Sequence, residues 1–136
     1  NGTFADAVSY NISASSWDDI DAGDFDGDGT IDVALGDNAS DDVVIVHGNG
    51  NGTFDTSSTI TLTWSDPTYS TNEVRAADLN NDGNLDILAA DISDVGRVGA
   101  WISNGNGTFQ TVQSFNPGDK VQEMATGDVD GDGRGC

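Results

Sequence analysis

Positive charge is what this chain has least of. Its 136 residues hold 4 Lys and Arg against 24 Asp and Glu, a formal charge of −20. A surface that acidic repels phosphate backbones and anionic bilayers alike, so neither nucleic acid nor membrane insertion is expected. Cysteine is confined to Cys136, which rules out an internal disulfide and leaves the redox compartment unread. There is one histidine, His47, and no carboxylate pair stands out beyond the acidic loops described below, so the chain reads as a non-enzyme. No apolar run approaches the roughly 20 residues of a membrane span, and no leader is visible at Asn1. Glutamate is scarce as well, limited to Glu73 and Glu123. Solvated helices favour Glu, whereas loops and oxygen cages select the shorter acid.

Aspartate and glycine fill the space these absences leave. Asp24, Asp26, Asp28 and Asp32 surround Gly29, and the pattern recurs as Asp78, Asn80, Asp82 and Asp86 around Gly83 and begins again at Asp128, Asp130 and Asp132. Carboxylates this close repel one another by a few kcal/mol, on the order set by Coulomb's law at short range, unless a cation lies among them. Ca²⁺ suits the spacing because it takes about six to eight oxygens in a tolerant geometry. Loop positions one, three and five face inward, glycine at six allows the sharp turn, Thr30 or Asn84 at seven offers a carbonyl, and Asp32 or Asp86 at nine a carboxylate. An EF-hand needs a bidentate Glu at position twelve, where Leu35 and Ala89 stand, so the helical version is disfavoured. Asp/Gly-rich loops also occur as plain solvated turns, but three copies in register argue against that reading.

The copies extend beyond the loops. Asn-Gly-Thr-Phe ends at Phe4, Phe54 and Phe109, stepping like the loops by about fifty residues. Upstream of each loop lie an acid and an apolar residue, Asp19-Ile20, Glu73-Val74 and Glu123-Met124, then a small pair suited to a strand crowded near an axis. Downstream, Ile31, Val33 and Leu35 alternate with other residues, as do Leu85, Ile87 and Ala89, which predicts strands. The continuous runs Val43–His47 and Val98–Ile102 predict strands covered on both faces, and the Asn-Gly turns that follow supply positive φ. Phe4, Val8, Tyr10 and Ile12 share one parity, like the closing strand of a preceding unit, and Phe54 with Ile60 and Leu62, and Phe109 with Phe115, repeat its six-residue offset. His47 aligns with Ile102 and reads as a packing residue; Trp17 and Trp64, nearer unit ends, read as core with a possible sugar-stacking role.

Four short strands per unit and no helix signal predict an all-β fold: consecutive four-stranded antiparallel blades of a partial β-propeller, because one such sheet cannot bury two apolar faces alone. The divisions expected are 1–16 for a closing strand, 17–66 for a first full blade, 67–117 for a second, and 118–136 for the start of a third. Two whole units are too few to close a ring, and Cys136 stands where a carboxylate is expected, so the chain reads as a fragment of a longer protein.

From Gly23 through Leu35 and Gly36 to Phe54, and again from Ala77 to Phe109, the chain resembles the FG-GAP/VCBS repeat family, whose blades also form integrin α-subunit heads. The resemblance implies a propeller with structural Ca²⁺ in blade loops. It carries ligand roles to Asp24, Asp26, Asp28, Thr30 through its carbonyl, and Asp32; to Asp78, Asn80, Asp82, Asn84 through its carbonyl, and Asp86; and to Asp128, Asp130 and Asp132. It further implies an extracellular or cell-surface setting and a protein or glycan ligand, beside the remaining blades of the parent protein. The alternative it carries is the propeller domain of a secreted polysaccharide lyase or hydrolase.

Overall fold

Alternating apolar residues on either side of each acidic loop can leave water together only in extended chain. The computed structural model describes residues 6–12, 16–65, 70–92, 96–119 and 121–127, and among them there are strands and turns with no helix. Strands β1 (Trp17–Gly23), β2 (Asp32–Asp37), β3 (Asp42–Gly48) and β4 (Phe54–Thr63) form one antiparallel sheet in chain order. Strands β5 (Glu73–Ala77), β6 (Asp86–Asp91), β7 (Arg97–Trp101) and β8 (Gln113–Phe115) repeat that meander as a second sheet. The fold is all-β, with two sheets arranged as successive propeller blades.

The sheets bury one face of each against the other. Ala34, Val43, Ile45 and Leu62 from the first, with Phe25 from its loop, meet Val74, Ile87, Ala89 and Trp101 of the second. The apolar run in β3 is buried on both sides as expected: Val44 and Val46 turn the opposite way, joining Leu35 beneath Ile12, Trp17 and Phe54. Trp64 belongs to the joint between sheets. It packs edge-on against Trp101 with ring centroids 5.1 Å apart, and its Nε1 donates to Thr71 Oγ1 at 2.9 Å. Gly99 lies under that ring, where an added Cβ would come within 2.6 Å of it. Burial follows the neighbour: Val74 is 0% exposed while Ile20, its counterpart in β1, is 58% exposed.

Two expectations change. Residues 6–12 carry no strand; among the described residues no neighbouring strand is paired with them, and side-chain packing alone places Ile12 on the Leu35 cluster and Tyr10 edge-to-face with Phe54. The equal six-residue offsets after Phe54 and Phe109 also mislead. Val43 pairs with Leu62 and Val98 with Phe115, which makes Leu62 the counterpart of Phe115. The cause is a bulge in the first sheet, where Val46 pairs with Thr59 but His47 with Asp55, absorbing extra residues that the second unit lacks. Phe4 and Pro67 lie outside the described residues.

The inner strands β1 and β5 are joined by side chains. Asp19 Oδ2 accepts from Val74 N at 3.1 Å and Asp21 Oδ2 from Ala76 N at 2.7 Å, so two carboxylates two residues apart hold alternate amides of the next strand. Arg75 stitches the seam, donating to Asp19 and to Glu73, each at 2.6 Å. Glu73 Oε2 in turn accepts from Met124 N at 2.8 Å, so the counterpart of Asp19 grips the segment that follows its own sheet. Burial works against charge on Asp19, but the Val74 and Ile20 amides and the Arg75 guanidinium outweigh it and hold its pKa below the usual aspartate value. A carboxylate held low when folded lends stability above its unfolded pKa of about 3.9, and that stability is lost as pH falls through the folded value. Asp19→Ala is therefore expected to cost about 1–2 kcal/mol at neutral pH by urea melting, because it orphans a buried amide. The gap between variant and parent should shrink below about pH 4; a gap unchanged down to pH 2 would refute the assignment.

Candidate metal centre

Each of the two described acidic loops hangs between two strands of its sheet, the first between Gly23 of β1 and Asp32 of β2 and the second between Ala77 of β5 and Asp86 of β6. Its turns use Gly27 and Gly29 at φ 77° and 85°, and the second loop uses Gly83 at 90°, the left-handed region that the glycine at position six was expected to supply. The carboxylates fold inward onto the loop's own amides. Asp24 accepts from Gly27 N at 2.8 Å and Gly29 N at 2.9 Å, and Asp26 from Asp28 N at 3.1 Å. Asp28 accepts from the Thr30 hydroxyl at 2.6 Å and the Thr30 amide at 2.7 Å, bonds that hold its pKa below the ordinary value. The Thr30 hydroxyl also reaches the Gly48 carbonyl at 3.1 Å, tying the loop to the end of β3. Oxygens of Asp24, Asp26 and Asp28 all lie within 4.8 Å of one another.

Asp32 behaves differently from the other three. It is 0% exposed, and its two oxygens accept from Phe25 N at 3.0 Å and Gly48 N at 2.8 Å. Asp86 repeats this in the second unit, 0% exposed and accepting from Leu79 N at 2.9 Å and Ser103 N at 2.8 Å. Asp32 ties its loop to the end of the adjacent strand β3, and Asp86 ties its loop to Ser103, two residues past the end of β7. Burial pushes the Asp86 pKa up, and repulsion from Asp82 and Asp78 adds to it, outweighing its two amide donors.

The remaining second-loop residues make a looser set. Asp78 accepts from Gly83 N at 2.9 Å, and Asp82 from Asn84 N at 2.8 Å, which with Asn80 holds the Asp82 pKa low. Asn80 Nδ2 donates to Asp82 Oδ2 at 2.9 Å, a hydrogen bond where the first loop opposes two carboxylates. Among the described residues, the acids of the second loop form no group of three with ligand atoms that close. Asp128, Asp130 and Asp132, with Arg134 and Cys136, lie outside the described residues.

The surroundings of His47 are more polar than its place in the strand suggested. Alignment with Ile102 assigned it to packing, yet its Nδ1 lies 3.2 Å from Asp26 Oδ2 and 3.7 Å from Asp32 Oδ1. No spacing signal marks this position: the clamp of Asp32 on Gly48, which holds the end of β3 beside the loop, is visible only in the folded register.

The profile of the FG-GAP-like repeat family matches residues 24–89 and 78–135. No curated protein and no solved structure matches the chain. The clamp geometry makes a prediction independent of any ion. With EDTA present, Asp32→Ala should cost about 2–5 kcal/mol by orphaning two amides at a buried point. Asp24→Ala, whose amides lie in exposed turns that water can serve, should cost about 1 kcal/mol or less under the same conditions. Equal losses in chelator would contradict the division of roles.

Proposed function

The chain belongs to the FG-GAP-like repeat family, and from that premise we propose that it is a calcium-binding repeat module whose ions have a structural task. The observation that carries this reading is the convergence of Asp24, Asp26 and Asp28 on one small volume, with an all-oxygen donor set of the kind hard cations select. Asp32, which shares a second close group with Asp26, and Thr30 through its carbonyl complete the proposed set. Asp78, Asn80, Asp82, Asn84 and Asp86 are the corresponding second set. Bound Ca²⁺ would supply charge neutralisation; the chain's own residues hold each of these two loops, anchoring the first to the end of β3 and the second to Ser103 just past β7. Ca²⁺ at both sites and the third lowers the formal charge from −20 to −14, so the surface stays strongly acidic.

The parent protein is proposed to be an extracellular or cell-surface adhesion or recognition protein that presents its blade loops to a protein or glycan. Such loops fill most readily at extracellular, millimolar calcium, where low-affinity oxygen cages are occupied. Trp64 is withdrawn from any sugar-stacking role by its burial in the joint between sheets.

Calcium that binds only the folded chain stabilises it by about 2.7 kcal/mol per site at a hundredfold excess over Kd. Thermal melting should therefore rise with Ca²⁺ and fall in EDTA, and Asp24→Ala should remove a large part of the rise. Calorimetric titration should find the first loop tighter than the second, because Asn80 replaces one carboxylate. A melting curve indifferent to both Ca²⁺ and EDTA would end this reading.

A further inference from the structure

We propose that the first loop also contains a mixed nitrogen and oxygen site for a first-row transition ion of the Zn²⁺ type, formed by Asp26, Asp32 and His47. The site goes beyond calcium, because its donors lie on different elements: Asp26 in the loop, Asp32 at the start of β2, and His47 near the end of β3. One ligand atom from each lies within 4.8 Å of the other two. His47 Nδ1 is 3.2 Å from Asp26 Oδ2 and 3.7 Å from Asp32 Oδ1. Donors bound tetrahedrally at Zn–N and Zn–O lengths stand about 3.4 Å apart, between those two values.

The state of the imidazole points the same way. Nδ1 is shielded from solvent and, for all its ion-pair distance to Asp26 and Asp32, is not aligned for a hydrogen bond and has no hydrogen-bond partner among the described residues. A shielded ring nitrogen aimed between two carboxylates has an unused lone pair or proton, and a metal ion accounts for it. Asp32 is already oriented by the amides of Phe25 and Gly48, and each of its oxygens retains acceptor capacity. Those amides serve as the outer partners that fix a ligand's direction. The donor set also selects the ion: imidazole suits zinc, copper, iron and nickel, whereas calcium and magnesium prefer oxygen alone. The second unit has Ile102 in place of His47, so the site is particular to the first loop. Asp26 and Asp32 are common to this trio and to the calcium set proposed above, which makes the two ions competitors.

The test uses the whole chain stripped of metal, with Co²⁺ as a coloured substitute for Zn²⁺. Wild type should bind Co²⁺ with the intense visible absorption of a four-coordinate site, and Zn²⁺ should displace it. His47→Ile, which installs the residue that the second unit carries, should weaken Co²⁺ binding by on the order of 100-fold or more, beyond the 10–100-fold typical of losing an outer partner. The same samples are titrated with Ca²⁺, where His47→Ile should change affinity by less than about threefold. Because His47 is the only histidine, its ring signals in a long-range ¹H–¹⁵N spectrum are unambiguous, and Zn²⁺ should shift Nδ1 of the wild-type chain without any substitution. Equal Co²⁺ binding by wild type and variant, or a ring spectrum unmoved by Zn²⁺, overturns the proposal. A Ca²⁺ response without a His47-dependent Co²⁺ response overturns it too and leaves the calcium reading standing; loss of the Ca²⁺ response alone touches only that reading.

Discussion

A buried aspartate that serves two backbone amides from distant points of the chain is the constraint on which this structure turns. Asp32 joins Phe25 to Gly48, and Asp86 joins Leu79 to Ser103. An acid fully out of water is costly unless its oxygens are satisfied, and here four amides satisfy two acids. Because the clamp fixes the loop's second residue, it also sends Phe25 into the core between sheets, where it is 1% exposed. Loop geometry, core filling and the approach of β3 to the acidic cluster thus share one cause.

The joint between sheets is made on a different principle. Backbone ladders run within each sheet, but between β1 and β5 the amides of Val74 and Ala76 are taken by the carboxylates of Asp19 and Asp21. Apolar contacts close the rest, with Trp64 and Trp101 at one end and Gly23 leaving room for Leu85 at the other. Acid in this chain therefore does three kinds of work: clamping loops, stitching strands and gathering around a cation-sized volume.

Much of this was legible from residue order. Period-two alternation around each loop gave the strands, and the shared spacing of Asp24 to Asp32 and Asp78 to Asp86 gave two equivalent loops. The continuous run Val43–Val46 announced a strand covered on both faces, and the structure covers it. What stayed hidden depends on register. The bulge after Val46 in the pairing of β3 with β4 is invisible in spacing, and it hid the equivalence of Leu62 with Phe115. The double duty of Asp32 was equally hidden, since nothing in the spacing separates an acid aimed at a cation from one aimed at two amides. Residues 6–12 failed as a strand because alternation reports which faces are apolar, not whether a partner edge exists.

The Asn-Gly turn of the second unit lies against the loop of the first. A side chain at Gly27 would run into the carbonyl of Gly105, and one at Gly107 would crowd Asp26. The stretch of sequence that is duplicated and the pocket that is completed are thus out of phase at the first loop, which borrows part of its wall from the following copy. Swapping whole repeats between such proteins would transplant half of two neighbouring pockets and all of neither, so shuffling boundaries that preserve these loops should fall inside the visible repeat.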